Sequence, residues 1–135
     1  MQVFDRSTPF APRVLWAVAT GGAIGAAGRW SVNRLFDWFG AGNEPGAWPW
    51  STLAVNVIGS ILIGFAARQI VRGTTAWAFV VTGLLGGFTT FSALAIELNE
   101  LADADAMPLA ILYGAVTLCA GVAATAIADL GRGST

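Results

Sequence analysis

The sequence predicts an all-α membrane protein with four transmembrane helices, and three observations predict it. Only 11% of its 135 residues are charged and 56% are hydrophobic, whereas a soluble domain usually carries about 25% charged residues. Three stretches, 45–67, 73–96 and 106–128, contain no charged residue, and each exceeds the roughly 20 residues that cross a bilayer as a helix. No stretch alternates polar and apolar residues as a β-strand would. At this length we expect one domain over residues 1–135.

Helix 1 is predicted over about residues 14–37. The helix can continue past Arg29 because an arginine side chain can extend toward the membrane interface. Residues 21–28 read GGAIGAAG, and helical spacing places small residues on one face, where another helix can approach closely. Arg29 is either an interfacial anchor or a positive charge at the mouth of a pore. A secretory signal peptide over residues 1–28 is the competing interpretation of this end.

Helix 2 is predicted over about residues 48–68, and its most informative residue is Asn56. This amide lies inside an otherwise apolar span. An unsatisfied amide in hydrocarbon is costly, so Asn56 must face protein, water or a substrate. The sequence leaves open whether it forms a hydrogen bond between helices or contacts a transported species.

Helix 3 is predicted over about residues 74–98, with a break near its middle. Residues 82–92 read TGLLGGFTTFS, and paired glycines and paired threonines are poor helix formers. A break would free backbone groups at membrane depth, which is tolerated only where they line a cavity or bind something. Freed carbonyls suit a hard cation, and freed amides suit an anion. The alternative is an unbroken helix with a Gly-Gly packing notch.

Helix 4 is predicted over about residues 107–129. Tyr113 and Thr117 lie one turn apart on one face, either as hydroxyl donors along a path or as partners in hydrogen bonds between helices. Residues 99–106 are expected to form the preceding connection, with Glu97 at the end of helix 3. No carboxylate is then expected in the central part of any span, which argues against a proton-coupled carrier.

The composition also argues against enzymatic chemistry. The chain contains no histidine and a single cysteine, Cys119. The commonest acid–base group and metal ligand is therefore missing, and an intrachain disulfide is impossible. We expect no enzymatic activity, and without a basic cluster we expect no nucleic-acid partner.

The arginines predict an orientation in the membrane. Of the seven basic residues, Arg29 and Arg34 lie toward one side of the predicted bundle. The other five lie on the side of both termini: Arg6, Arg13, Arg68, Arg72 and Arg132. The positive-inside rule then predicts a multi-pass protein of the inner (plasma) membrane with both termini in the cytoplasm.

Three segments in order resemble the Fluc (CrcB) family of fluoride channels. They are residues 21–30 (GGAIGAAGRW), 55–59 (VNVIG) and 86–92 (GGFTTFS), within a resemblance that covers about residues 21–129. The resemblance implies an antiparallel dimer of four-helix subunits in the lipid bilayer, with two fluoride pores at the dimer interface. It also implies a function, passive fluoride export from the cytoplasm that lowers fluoride toxicity.

The same resemblance implies the site residues. The main-chain carbonyls of Gly86 and Thr89 match those that hold a structural, non-transported sodium ion. Arg29 is a possible charge at the pore mouth. The residues that match the fluoride path are Asn56, Phe91, Ser92, Tyr113 and Thr117. An electropositive ring edge makes Phe91 a sensible neighbour for a small anion.

One position departs from the family pattern. Where the family commonly has a second pore phenylalanine, this chain has Leu94. Together with the uneven arginines, this suggests one half of a heterodimer whose related partner chain has the opposite orientation, and a homodimer is the alternative. Two rival functions are a proton-coupled multidrug-type carrier, for which Glu97 is the only nearby carboxylate, and a non-transporting membrane scaffold.

Overall fold

The structure, a computed structural model, describes residues 11–40 and 46–130. Its regular elements are all helical within those residues, which confirms the predicted all-α class. They are α1 (Pro12–Trp38), α2 (Trp50–Gln69), α3 (Thr75–Trp77), a π-helical segment (Ala78–Leu85), α4 (Gly86–Phe88), α5 (Phe91–Asp103) and α6 (Met107–Leu130). The elements from α3 to α5 together correspond to the predicted helix 3, and we keep that name for them.

Three stretches of the described chain are long and apolar enough to cross a membrane: Trp50–Gln69, Thr75–Asp103 and Met107–Ala126. The 27 residues of α1 would extend about 40 Å as a helix, which is also long enough. However, glycines and Arg29 dilute its apolar character. The fourth span therefore stays a prediction.

Helix 3 is interrupted at Thr89 and Thr90, where the sequence predicts a break. The backbone there is extended, with ψ of 157° at Thr89 and 122° at Thr90. The Thr89 N–H and hydroxyl both donate to the Leu85 carbonyl, each at 3.0 Å. Thr90 caps α5, because its hydroxyl oxygen accepts a 3.1 Å bond from the Ala93 N–H. The threonines that weaken a helix interior thus end one segment and begin the next.

The segment before the break packs directly against α1. A Cβ on Gly25 would overlap the Leu84 carbonyl oxygen, and one on Gly87 would lie 2.5 Å from the Gly22 carbonyl oxygen. Only glycine permits such backbone contact. The π-helical turn, a form often found at functional sites, lies within this contact.

The expectation for the end of helix 3 is wrong. Helix α5 continues to Asp103, and the connection to α6 is only residues 104–106. Glutamate, leucine and alanine after position 98 favour helix, and Asn99 donates a 3.0 Å bond to Asp103 one turn later. Glu97 therefore lies inside a helix, and its side chain is only 6% exposed.

The orientation prediction depends partly on residues that the structure does not describe, since Arg6 and Arg132 lie outside the described ranges. Two of the described arginines, Arg34 and Arg72, lie near aromatic rings. The Arg34 guanidinium lies 5.5 Å from the Trp30 ring and that of Arg72 lies 5.4 Å from the Trp77 ring. Such pairs suit membrane interfaces, where both residue types are common.

Candidate functional site

The break in helix 3 borders a cavity of about 330 Å³ between α2 and α6. Several residues that the sequence singles out line it: Asn56, Thr89, Thr90, Phe91, Leu94 and Thr117. Most of the remaining lining is apolar, including Ile63, Leu118 and Val122. A mainly apolar cavity with a few polar groups is the usual form of a small-ligand site.

Asn56 joins α2 to the break by two hydrogen bonds with one residue. Its Nδ2 donates to the Thr90 carbonyl at 3.0 Å, and its Oδ1 accepts from the Thr90 N–H at 2.8 Å. The N–H and the carbonyl of Thr90 are thus both hydrogen-bonded to Asn56. Of the two alternatives for Asn56, the structure shows the hydrogen bond between helices, although the residue also lines the cavity.

Gly59 makes room for the other threonine of the break. A Cβ at this position would overlap the Thr89 methyl group. Asn56 and Gly59 are three residues apart and therefore share a face of α2. Asn56 and Gly59 thus both adjoin the break. Asn56 forms hydrogen bonds with Thr90, and Gly59 leaves space for the Thr89 methyl group.

The two predicted cation ligands, Gly86 and Thr89, both precede Thr90, whose pair of bonds with Asn56 we call the clamp. In an uninterrupted helix the Thr90 N–H would donate to the Gly86 carbonyl four residues earlier, but here it donates to Asn56. The extended ψ at Thr89 directs its carbonyl away from the helical path. Side chains of the described residues offer no His, Cys, Asp or Glu cluster that could hold a metal. Carbonyl oxygens freed by a break are hard donors, a type that suits a sodium ion.

Phe91 and Ser92 begin α5, and of the two only Phe91 lines the cavity. The Phe91 side chain is 74% exposed in the single chain while it also lines the cavity. The Ser92 hydroxyl lies 3.2 Å from the Thr90 hydroxyl. The structure thus brings an aromatic ring and a pair of hydroxyl groups together at the break.

Thr117 and Tyr113 differ in their surroundings, although they lie one turn apart on α6. The Thr117 Oγ1 is buried without a hydrogen-bond partner among the described residues, and Thr117 lines the cavity. Tyr113 is fully buried, and its hydroxyl donates a 2.6 Å bond to Glu97 Oε2. Tyr113 is not among the residues that line the cavity.

Glu97 and Thr52 are residues whose roles the sequence analysis missed. The Thr52 hydroxyl donates a 2.5 Å bond to Glu97 Oε1, so each carboxylate oxygen accepts a bond from a buried hydroxyl. The buried face of α5 is Leu94, Glu97 and Leu101. This spacing of three and then four residues was the signal that could have located Glu97 on the inner face.

Leu94 and Arg29 contribute differently to the surroundings of the cavity. Leu94 is 3% exposed and belongs to the apolar cluster with Leu101, Ala110 and Tyr113. It also lines the cavity, three residues after Phe91. Arg29 is half-buried on α1 and does not line the cavity of the single chain.

Comparison with known proteins identifies similar sequences over most of the chain. The family described as "CrcB-like protein, Camphor Resistance (CrcB)" matches residues 16–129. A protein of Opitutus terrae named fluoride-specific ion channel FluC is 43% identical over 65% of this chain and 69% of its own. The protein of that name from Novosphingobium aromaticivorans is 41% identical over 78% and 84%. FluC 2 of Symbiobacterium thermophilum is 41% identical over 79% and 87%.

Proposed function

The chain belongs to the CrcB family, and on that premise we propose that it is a channel subunit that conducts fluoride passively out of the cytoplasm. Its relatives are named fluoride-specific ion channels. The observation that carries the proposal is the Thr117 hydroxyl, a buried polar group without a partner in the described chain at the wall of the cavity. Buried polar groups are nearly always hydrogen-bonded, so a small anion that accepts from Thr117 would complete its bonding.

The proposed path consists of several weak donors, one after another. The electropositive ring edge of Phe91 and the hydroxyls of Ser92 and Thr117 would replace part of the hydration shell of fluoride. Asn56 and Tyr113 are the other residues of the predicted path, and their side chains donate to Thr90 and Glu97 of the protein. Several weak sites permit both entry and exit. An inside-negative potential drives the anion outward, with about 2.3 kcal/mol per charge per 100 mV.

We further propose that a sodium ion is a structural and non-transported part of the channel. Its donors would be the Gly86 and Thr89 main-chain carbonyls. Support comes from the diversion of the Thr90 N–H to Asn56, which leaves Gly86 without its regular helical donor. When bound, the ion would satisfy carbonyls that the break has freed at membrane depth.

The subunit is proposed to act as an antiparallel dimer. Phe91 is exposed in the single chain, so a second subunit is needed to enclose the path beside its ring. Leu94 in place of a second phenylalanine favours a heterodimer with a related chain of opposite orientation, with a homodimer as the alternative. The numbered name FluC 2 of one relative is in keeping with chains that occur in more than one version.

The proposed location is the inner membrane with both termini in the cytoplasm. If every helical pass crosses the bilayer, Arg13 at the start of α1 and Arg68 at the end of α2 lie on one side. Arg72, in the connection that follows α2, lies on the same side. The positive-inside rule assigns that side to the cytoplasm.

A proton-coupled carrier is a second candidate, because Glu97 is a buried carboxylate inside helix α5. Against it, Glu97 is not among the residues that line the cavity, and Thr52 and Tyr113 engage its two oxygens. Replacement of Glu97 by Gln distinguishes the two functions. A carrier would lose proton-coupled uptake of a cationic drug, whereas a channel has no such uptake in either form.

The test is fluoride efflux from liposomes that contain only this purified chain, with chloride efflux as the comparison. Fluoride-selective efflux would support the channel and show that one chain forms both halves of the dimer. If efflux requires co-expression with the related chain, the heterodimer is supported. Equal fluoride and chloride efflux, or no efflux with either composition, would contradict the proposed selective pore.

A further inference from the structure

We propose that Asn56 is a positioning residue for the cation site, rather than primarily a ligand of the permeating anion. By accepting the Thr90 N–H, it would keep the Gly86 carbonyl open for sodium. This inference rests on the proposed structural cation, but not on fluoride conduction.

The clamp joins the Asn56 side chain to the backbone of Thr90 by two hydrogen bonds. Oδ1 of Asn56 accepts at 2.8 Å and Nδ2 donates at 3.0 Å, both to the backbone of Thr90. Few side chains can do this, because a primary amide is the group that matches both the donor and the acceptor of a peptide unit. The whole polar end of Asn56 is therefore engaged with helix 3.

Asn56 and the Gly86 carbonyl compete as acceptors for the Thr90 N–H. The Thr90 N–H donates to Asn56 Oδ1, and it could donate to the Gly86 carbonyl only if Thr89 and Thr90 left their extended conformations for helical ones. Without Asn56, the Thr90 N–H would lose its partner at membrane depth, which is strongly unfavourable. Closure of the helical bond onto Gly86 would restore an acceptor to it. The Gly86 carbonyl would then accept the Thr90 N–H and would no longer be available to a cation.

The other side-chain contacts at the break do not occupy the Thr90 N–H. The N–H and hydroxyl of Thr89 both donate to the Leu85 carbonyl. These bonds fix the end of α4 but do not involve the Thr90 N–H. Gly59 gives space to Thr89 and offers no polar atom of a side chain. Two contacts hold the Thr90 backbone away from the helical path: the N-cap bond from the Ala93 N–H to the Thr90 hydroxyl, and the bonds to Asn56, of which only the latter occupy the Thr90 N–H.

The test measures cation binding without fluoride or flux. The melting temperature of the purified full-length protein is recorded from tryptophan fluorescence in sodium chloride and in N-methyl-D-glucamine chloride of equal concentration. A cation that binds only the folded state raises the melting temperature, so we expect a sodium-dependent rise for the wild type. In Asn56→Ala that rise is lost.

Ser60→Ala is the matched control. Ser60 lies one turn later on α2, lines the same cavity, and donates its hydroxyl to the Asn56 carbonyl within its own helix. Its sodium-dependent rise should equal that of the wild type. A rise that is preserved in Asn56→Ala while fluoride efflux is lost would overturn the proposal, because Asn56 would then act on the anion directly. The absence of a sodium response in the wild type would overturn it as well.

Asn56→Asp keeps the proposal falsifiable if the alanine variant does not fold. Aspartate retains an acceptor for the Thr90 N–H and loses only the donor to the Thr90 carbonyl, so the sodium response should persist. Its loss in a folded Asn56→Asp protein would contradict the proposal. Failure of the proposed function is distinguishable, because a wild type that responds to sodium but conducts no fluoride would leave the role of Asn56 standing.

Discussion

Two polar contacts between α2 and helix 3 differ in what surrounds them. Thr52 and Asn56 lie one turn apart on α2, and each bonds to helix 3. Thr52 bonds to Glu97, which also accepts from Tyr113, in a cluster where all three residues are at most 6% exposed. Asn56 bonds to the backbone of Thr90 at the wall of the cavity. We call these the buried cluster and the cavity contact.

The difference shows that polarity in a transmembrane helix does not by itself identify a transport path. In the buried cluster the Thr52 and Tyr113 hydroxyls both donate to Glu97, so the expected contribution of the cluster is to stability. At the cavity, the Phe91 ring is exposed and the Thr117 hydroxyl has no partner among the described residues. Substitutions at the cavity should therefore alter conduction, and substitutions in the buried cluster should alter stability.

The largest effect on conduction is expected from Phe91→Ile. It removes the ring edge from the proposed path while leaving an apolar side chain of similar bulk. We expect fluoride efflux to fall by about 100-fold, which corresponds to about 2.7 kcal/mol in the barrier. Ile96→Val is the control, because Ile96 is exposed on the same helix and does not line the cavity. Efflux at the wild-type rate from Phe91→Ile would remove Phe91 from the path.

The next effect is the loss of stability expected from Tyr113→Phe. The change removes the donor to Glu97 Oε2 and leaves a buried carboxylate oxygen without it. We expect the free energy of unfolding to fall by about 1–3 kcal/mol, measured by denaturant titration in detergent. Thr20→Val should have little effect, since the Thr20 hydroxyl is exposed and bonds only within its own helix. A large loss of efflux without loss of stability would instead assign Tyr113 to the fluoride path.

Thr117→Val should act in the opposite direction on the two quantities. Removing a buried hydroxyl that has no partner among the described residues leaves stability unchanged or raises it slightly. Removing a proposed donor to the anion should lower efflux by about tenfold, the equivalent of one hydrogen bond of about 1.4 kcal/mol. Thr125→Val is the matched comparison: Thr125 also lines the cavity, but its hydroxyl already donates to the Gly121 carbonyl within α6, so efflux should fall less than in Thr117→Val. A Thr117→Val protein that is destabilised would show that its hydroxyl has a partner in the assembled channel.

Much of the fold was predictable because the signals were local. Uncharged stretches locate α2, helix 3 and α6, and two adjacent threonines locate the break between α4 and α5. The backbone contact of Gly25 with Leu84 follows from small residues on one face of α1. Each of these depends on residues close together in the sequence.

The surroundings of the polar side chains were less predictable because they depend on distant residues. Glu97 looked terminal, since charge usually marks the end of a span, and only the hydroxyls of Thr52 and Tyr113 make its burial tolerable. Asn56 was recognised as unusual, but its partner, the backbone of Thr90, is 34 residues away. A single sequence does not distinguish a residue that bonds to a broken helix from one that faces a path.

The smallest effect is expected at Leu94, the residue that belongs to both regions. It packs with Tyr113 in the apolar cluster and also lines the cavity. Leu94→Phe adds volume next to the apolar cluster. Such overpacking lowers the free energy of unfolding by about 1–3 kcal/mol when no space is available, but the adjoining cavity can accept part of the ring. We expect a destabilisation near 1 kcal/mol or less.

The effect of Leu94→Phe on conduction separates the two dimers. If this chain normally pairs with a related chain that supplies the missing aromatic ring, Leu94→Phe should raise fluoride efflux from liposomes that contain this chain alone. If the homodimer with Leu94 is the working channel, the added ring narrows a cavity that is already complete, and efflux should stay constant or fall. Leu118→Phe, at an exposed position on the cavity side of α6, controls for the added bulk. A rise with both variants would mean that volume, rather than an aromatic edge beside Phe91, limits conduction.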